Sequence, residues 1–261
     1  MKFSVLSSGS KANCTFVEAE GHRFLIDCGL SCRKTEERLN FIGIEPESVE
    51  AILITHEHAD HVRGVGAFSK KYKVTVFANS ATARFLQASY KIHKFESGKR
   101  FQIGNVEINP FSITHDAVDP VGFSIFGDGL KFSQSTDLGR VTPLVQDALL
   151  LSNALVLESN HDMQMLWNCY YPWELKQRIA SSHGHLDNKS AAELILQLLH
   201  PDLQVIVLGH ISENSNTPQH ALKSVIDHTR PNALPFLLCA SPYECTELFD
   251  LSENLEMAMV G

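Results

Sequence analysis

The sequence has no CxxC motif, no long apolar run and no internal repeat, and each absence excludes a class of protein. Its six cysteines are spread along the 261 residues without a CxxC pair, which is typical of a reducing compartment. No apolar run approaches the roughly 18 residues that a membrane span needs. The opening MKFSVLSSGS also lacks the apolar core and cleavage site of a signal peptide. We therefore expect a cytoplasmic protein with no membrane partner.

A net basic charge is also absent, although the basic residues are unevenly distributed. The formal net charge of −8 argues against a protein that coats nucleic acid without specificity. Between Arg63 and Arg100, however, nine Lys or Arg residues stand against one acid, Glu96, so this basic stretch carries +8 and the rest of the chain −16. The basic stretch is either a solvated helical face or a surface for a polyanion, and charge alone leaves both interpretations open.

The order of the secondary-structure patterns predicts one α/β domain over residues 1–261. No long linker or low-complexity tract divides the chain. Two groups of short strand patterns are each accompanied by helical patterns, which favours two sheets packed face to face with helices outside. We predict helices near residues 64–71 and 79–90 in the first half, and one long helix near 162–182 in the second. The predicted fold class is a four-layer αββα sandwich.

The stretch ILITHEHADHVRG, residues 52–64, crowds His56, His58, Asp60 and His61 into six positions directly behind a buried strand. Residues i and i+2 of an extended segment point to the same side, so His56 and His58 can bind one ion. Asp60 and His61, displaced by a turn, can face a second ion. A single histidine is more often a core or surface residue, but that interpretation does not explain four ligand-type residues together.

Three later strand patterns also end at a residue that can bind metal. FSITHDAVD ends a strand at His115, FSQSTDLG at Asp137, and VIVLGHIS at His210. Each position taken alone could be an ordinary polar strand end. Because the same placement recurs three times, we predict that these residues complete a two-metal site.

The motif THEHADH, followed by His115, Asp137 and His210, resembles the HxHxDH signature of the metallo-β-lactamase superfamily. The resemblance implies an αββα sandwich. It also implies that His56, His58 and His115 bind one ion, that Asp60, His61 and His210 bind the other, and that Asp137 bridges them. In addition, it makes Asp27 of HRFLID the acceptor of a hydrogen bond from a ligating histidine, whereas DCG alone would be an ordinary turn.

Two divalent ions about 3.5 to 4 Å apart can share a water molecule and lower its pKa towards about 7. Imidazole and carboxylate ligands suit Zn²⁺ and also accept Mn²⁺ or Fe²⁺. We therefore predict that the site binds two divalent ions, with Zn²⁺ as the preferred metal. We also predict that Asp60 has a catalytic role in addition to binding metal.

Further motifs resemble the YycJ (WalJ) branch of this superfamily, which consists of cytoplasmic bacterial proteins proposed to be exonucleases on double-stranded DNA. They are SSGSKAN, ESNHD, YPWELKQRIASSHGHLDN and GHISENSNTP. Two positions depart from the branch pattern, with Ala12 in place of Gly and Asp187 in place of Ser. Within the superfamily, Asp137 favours phosphodiester substrates, because true β-lactamases usually have cysteine at that position.

By analogy with related tRNA-processing nucleases, Glu158 supports His185, which protonates the leaving oxygen. The alternative is that His183 and His185 belong to a polar segment before the next helix, capped by Asp187 or Asn188. The role of His161 stays open, either in the wall of the site or as a variant ligand.

The prediction for function is a dinuclear metal-dependent hydrolase of phosphodiester bonds in nucleic acid, specifically a DNA exonuclease. A first alternative is a hydrolase of a small thioester, lactone or cyclic phosphodiester, favoured if the basic stretch is scattered over the fold. A second alternative is a non-catalytic regulatory module that binds metal. The sequence does not indicate the oligomeric state.

Overall fold

The two groups of strand patterns form two β-sheets in a computed structural model, which describes residues 1–86, 89–229 and 235–252. The strands are β1 (Lys2–Ser7), β2 (Cys14–Ala19), β3 (His22–Ile26), β4 (Ala51–Leu53), β5 (Thr75–Asn79), β6 (Lys91–Phe95), β7 (Phe101–Ile103), β8 (Val106–Ser112), β9 (Val121–Gly127), β10 (Leu130–Ser135), β11 (Ala154–Glu158), β12 (Val205–Gly209), β13 (Phe236–Cys239) and β14 (Phe249–Asp250). The helices are α1 (Cys32–Phe41), α2 (Ala59–Val62), α3 (Val65–Tyr72), α4 (Pro143–Leu149), α5 (Met163–Asn168), α6 (Trp173–Ile179), α7 (Asn188–Leu198) and α8 (Pro218–His228).

Each sheet mixes antiparallel and parallel strand pairs. The first sheet has the order β14-β1-β2-β3-β4-β5-β6, and the second has the order β13-β12-β11-β10-β9-β8-β7. Strands β3 to β6 are parallel to one another, and so are β10 to β13. Because parallel strands end at the same edge of a sheet, the loops after β3, β4, β10, β11 and β12 gather where α/β proteins commonly bind ligands.

Apolar side chains fill three layers between these elements. Phe24 and Phe132 belong to the cluster between the two sheets. Phe68 of α3 packs on the outer face of the first sheet, and Leu194 of α7 packs on the outer face of the second. The order of layers is therefore helix, sheet, sheet, helix, and the predicted αββα fold class is confirmed.

The helices are short, and α1, α4, α5, α7 and α8 begin at side-chain caps. The Asp187 carboxylate accepts hydrogen bonds from the backbone N–H groups of Lys189 and Ser190, at 2.9 and 3.1 Å. Asp187, rather than Asn188, therefore caps α7. Among the described helices, none is both long enough and apolar enough to cross a bilayer.

Two helix predictions were wrong in the described residues. The predicted helix at 79–90 is a single 3₁₀ turn at Thr82–Arg84, and residues 87–88 of that prediction lie outside the described ranges. The predicted helix at 162–182 is divided into α5 and α6. Pro172 lies at the division, where its ring removes an N–H donor and disfavours helical geometry in the residue before it.

Candidate metal centre

The predicted ligands stand at the carboxyl ends of strands from both sheets. His56 follows β4, His115 follows β8, Asp137 follows β10, and His210 directly follows β12. We use the term donor cluster for the seven predicted ligands, His56, His58, Asp60, His61, His115, Asp137 and His210. The strand ends bring all seven to one edge of the sandwich.

Three histidines of the donor cluster form one group. His56 and His58 lie in the chain before α2 with their ring centroids 4.6 Å apart. The His115 ring lies 5.1 Å from that of His56 and 5.0 Å from that of His58. Each of the three offers a ring nitrogen within 4.8 Å of the other two, so they can hold one ion together.

A second group consists of Asp60 and His61 on α2 and His210 of the second sheet. Asp60 Oδ2 lies 3.5 Å from His61 Nε2 and 3.7 Å from His210 Nε2. Asp137 lies between the two groups, with Oδ2 3.1 Å from His61 Nε2 and Oδ1 3.5 Å from His115 Nε2. Asp137 therefore has one carboxylate oxygen near a residue of each group.

Asp27 orients the imidazole ring of His61 through a hydrogen bond to Nδ1. Its buried carboxylate accepts hydrogen bonds from His61 Nδ1 at 2.8 Å and from the Thr55 N–H and hydroxyl at 2.9 and 2.8 Å. Because Nδ1 of His61 donates to Asp27, Nε2 is the atom left to bind an ion, which requires that it carry no proton.

Close backbone packing fixes the turn that carries Asp60. A Cβ atom on Gly29 would lie only 1.6 Å from the Asp60 carbonyl oxygen. That same oxygen accepts a hydrogen bond of 2.7 Å from the Asn13 backbone N–H. Position 29 therefore requires glycine, because any side chain would displace the turn.

The ionisation of the donor cluster reflects burial opposed by charge. Burial, followed by the positive neighbour His61, holds the pKa of His56 well below its ordinary value, so its imidazole is neutral. Burial would also lower the pKa of His210, but the Asp137 carboxylate and hydrogen bonds to Asp60 and Glu158 raise it to about 10. In the metal-free protein His210 is thus protonated and must lose that proton to become a ligand.

Glu158 and His185 lie beside the donor cluster as a hydrogen-bonded pair. The fully buried Glu158 Oε1 accepts from His185 Nδ1 at 2.9 Å and from His210 Nδ1 at 3.0 Å. Its other oxygen accepts from the backbone N–H groups of Leu138 and Leu186. Burial alone would raise the pKa of Glu158, but the two histidines lower it to about 2. The carboxylate is therefore an anion, and it orients both imidazole rings.

Two further polar side chains support the donor cluster, although we did not predict them from the sequence. Asn13 Nδ2 lies 3.1 Å from Asp60 Oδ2 and 2.9 Å from His61 Nε2. Ser8 Oγ accepts a 2.8 Å hydrogen bond from the His210 backbone N–H. Both belong to the motif SSGSKAN, which was the available signal, but a motif alone does not indicate what its side chains contact.

Asp116 and Arg178 form another pair that the sequence reasoning missed. Asp116 Oδ1 lies 3.2 Å from His115 Nε2, and Arg178 Nε donates to Asp116 Oδ2 at 2.6 Å. The only sequence signal for Asp116 was its position directly after a predicted ligand.

Three residues of the site have left-handed backbone conformations. The φ angles are 59° at Asp27, 57° at Asp137 and 52° at His210. Such conformations are costly for residues other than glycine and are found where a surrounding site enforces them. Here each one turns a side chain inward at the end of a strand.

The basic stretch contributes little to the surroundings of the donor cluster. Lys71 pairs with Glu36, and Arg100 pairs with Glu107. Arg100 also lines a cavity with Lys131, at the opposite end of β10 from Asp137. The arginines that line the two cavities beside His185 are Arg140 and Arg178, which lie outside the basic stretch. None of the nine basic residues lines either of these two cavities, so the basic stretch does not surround that part of the site.

His161 does not belong to any of the groups of potential metal ligands found among the described residues. Instead, it lines a cavity together with His185. Of the two roles left open for His161, the arrangement favours a place in the wall of the site.

Comparison with known proteins finds one matching family model and relatives that align over most of the chain. A family model described as the metallo-beta-lactamase superfamily matches residues 8–144. The exodeoxyribonuclease WalJ of Streptococcus pneumoniae is 36% identical over 234 residues, which cover 87% of each protein. The exodeoxyribonuclease YycJ of Bacillus anthracis is 33% identical over 233 residues, which cover 86% of this chain and 88% of that protein.

The fold is also similar to that of a solved structure. The metallo-β-lactamase-fold protein YhfI from Bacillus subtilis superposes with a TM-score of 0.72 at 14% identity. The superposition covers 94% of this chain and 98% of YhfI. At this identity the similarity concerns the fold alone.

Proposed function

The chain belongs to the metallo-β-lactamase superfamily, and on that premise we propose that it is a metal-dependent exonuclease that hydrolyses phosphodiester bonds of DNA. The observation that carries the proposal is the convergence of seven nitrogen and oxygen donors on one edge of the sandwich, next to the Glu158–His185 pair. The substrate class is supported by the relatives WalJ and YycJ, which are named as exodeoxyribonucleases.

The donor cluster fits divalent metal ions. The imidazole of His56 is buried, its pKa is lowered, and its Nε2 has no hydrogen-bond partner. An unpartnered buried nitrogen is costly unless something binds its lone pair. The donors are imidazole and carboxylate without thiolate, so we propose Zn²⁺, with Mn²⁺ or Fe²⁺ as the alternatives.

The protein side chains have separate tasks in the proposed mechanism. His56, His58 and His115 would hold one ion, Asp60, His61 and His210 the other, and Asp137 both. Bound ions would supply Lewis acidity at the phosphoryl group and an activated water molecule. Asp60, whose side chain is partly exposed, would also orient the attacking water.

His185 would act on the leaving oxygen. Because its Nδ1 donates to Glu158, a proton carried on Nε2 is the one available for transfer. The Glu158 carboxylate fixes this tautomer and the orientation of the ring. Its second contact, to His210, ties the position of His185 to that of a proposed metal ligand.

Contact with the DNA backbone is assigned to the arginines near His185 rather than to the basic stretch. Arg178 and Arg140 line the cavities on either side of His185, and both side chains are exposed. A guanidinium group pairs well with phosphate oxygens.

We further propose that residues 1–261 form one domain and that the protein acts in the cytoplasm.

The absence of the basic stretch from the cavity walls beside His185 favours a second candidate, a hydrolase of a small thioester, lactone or cyclic phosphodiester. Parallel assays of the metal-loaded protein separate the two. Degradation of DNA with no turnover of small thioesters or lactones supports the nuclease, and the reverse result supports the second candidate. Hydrolysis of bis(p-nitrophenyl) phosphate that depends on His56 excludes a regulatory module without turnover.

The proposal is tested with metal-replete protein and linear end-labelled DNA. We expect wild type to degrade the DNA, and Asp60→Ala and His61→Ala to abolish degradation while their circular dichroism spectra stay those of a folded protein. The matched control is His220→Ala, an exposed histidine on α8 outside the site. Unchanged degradation in the Asp60 and His61 variants would contradict the proposal.

A further inference from the structure

A cavity of about 340 Å³ opens beside the donor cluster, between the loop after β10 and one face of α7. His185 forms part of its wall, so the cavity adjoins the position proposed for the scissile phosphate. Its volume is in the range of small-molecule sites, about 300 to 1,000 Å³. None of the seven residues of the donor cluster lines it.

His161 lines this cavity and lacks partners in the described part of the chain. Its side chain is almost completely buried, with a relative exposure of 1%, yet neither ring nitrogen has a hydrogen-bond partner. Most buried polar groups in native proteins are paired. The backbone position of His161 is fixed by the Asn188 N–H, which donates to its carbonyl oxygen at 2.9 Å.

The unpartnered ring is chemically suited to bind a neutral polar edge. Burial lowers the pKa of His161, so the imidazole is neutral and offers one N–H donor and one acceptor nitrogen. Val141, Leu186 and Leu194 provide apolar walls, and Gln197 adds an amide at the rim. The cavity thus combines apolar walls with side chains that can hydrogen-bond to an occupant.

Charge disfavours a phosphate group as the occupant. The Asp187 and Glu193 carboxylates both line the cavity, and Asp187 already accepts hydrogen bonds from the first turn of α7. Arg140 is one cation against these two acids. An uncharged group therefore fits better than an anion.

We propose that this cavity binds the nucleobase of the nucleotide next to the scissile phosphate, with the imidazole of His161 hydrogen-bonded to the edge of the base. This inference rests on the proposed nuclease function and adds a binding site for a part of the substrate. The phosphate stays at the donor cluster and His185, while the base enters the cavity past His185.

The test measures binding of 2′-deoxyadenosine and thymidine, which carry no phosphate, to the metal-loaded protein by isothermal titration calorimetry. We expect both nucleosides to bind wild type. We expect His161→Leu to weaken binding about fivefold, the effect of one lost hydrogen bond. Gln197→Trp, an exposed position on α7, fills the cavity entrance and should remove binding altogether. His183→Ala, a nearby exposed histidine outside the cavity wall, is the matched control and should bind like wild type.

The absence of nucleoside binding to wild type, or equal binding by all variants, would overturn the inference. We also expect the Tm of His161→Leu to be no lower than that of wild type, because a leucine removes two unpartnered nitrogens. A clearly lower Tm would show that the nitrogens have partners and would overturn the premise. DNA degradation is measured in parallel. Degradation without nucleoside binding contradicts the cavity alone, whereas nucleoside binding without degradation contradicts the proposed function alone.

Discussion

Replacing Asp27 by asparagine tests how the protein prepares His61 for metal. The buried carboxylate accepts three hydrogen bonds, one from His61 Nδ1 and two from Thr55. An asparagine keeps one acceptor oxygen for the Thr55 N–H but turns an NH₂ group towards His61. His61 must then accept at Nδ1 and carry its proton on Nε2, the atom that faces Asp60 and Asp137.

The magnitude follows from the loss of one hydrogen bond to a charged group, about 1.5 to 3 kcal/mol. This corresponds to a loss of metal affinity of about 10- to 100-fold, the range typical of groups that orient a ligand. We expect the same substitution to lower the free energy of unfolding of the metal-free protein by about 1 to 3 kcal/mol.

Metal affinity is measured by competition with a chromophoric chelator, and folding by near-UV circular dichroism. Asp162→Asn is the matched control, because Asp162 caps α5 and asparagine caps a helix equally well. If the folded Asp27→Asn variant binds both ions as tightly as wild type, Asp27 does not set the tautomer of His61.

Three further predictions concern the neighbours of the donor cluster. His185→Ala should lower kcat for DNA by about 10²- to 10⁴-fold at unchanged metal content, with a much smaller loss for bis(p-nitrophenyl) phosphate, whose leaving group needs no proton; equal losses for both substrates would contradict the role of His185. Glu158 has a folded pKa of about 2, below its ordinary 4.5, so its contribution to stability is full above about pH 4.5 and is lost as the pH falls towards 2. Between pH 4.5 and 2, the free energy of unfolding of the metal-free protein should therefore fall less steeply for Glu158→Gln than for wild type. Parallel curves for the two proteins would contradict this role of Glu158. Arg178→Ala should raise KM for DNA and reduce the slope of log affinity against log salt by about one, as expected for one lost phosphate contact; an unchanged slope would remove Arg178 from the DNA-binding surface.

The strand-end positions of the site could be predicted because they depend on local patterns. An apolar run that stops at His, Asp or Glu is visible in the sequence, and strand direction then brings such ends to one edge. The positions of His56, His115, Asp137 and His210 in the structure follow this logic. Their roles as ligands stay predictions, to be tested by the substitutions above.

The contacts that depend on the three-dimensional fold could not be predicted in the same way. Asn13 meets His61 and Arg178 meets Asp116 across separations of 48 and 62 residues, and no local pattern specifies such pairs. The strand β6 was not predicted because KIHKF lacks strict alternation of apolar and polar residues, as His93 and Lys94 are adjacent on this edge strand.

The central claim is that this donor cluster carries out metal-dependent removal of nucleotides from DNA ends. The most direct measurement is the size distribution of products from linear double-stranded DNA labelled at one end, using protein stripped with a chelator and then reloaded with Zn²⁺ or Mn²⁺. We expect mononucleotides to accumulate from the first time point with the reloaded protein, and no products with the stripped protein. DNA that stays intact with the reloaded protein, or equal degradation by the stripped protein, would contradict it.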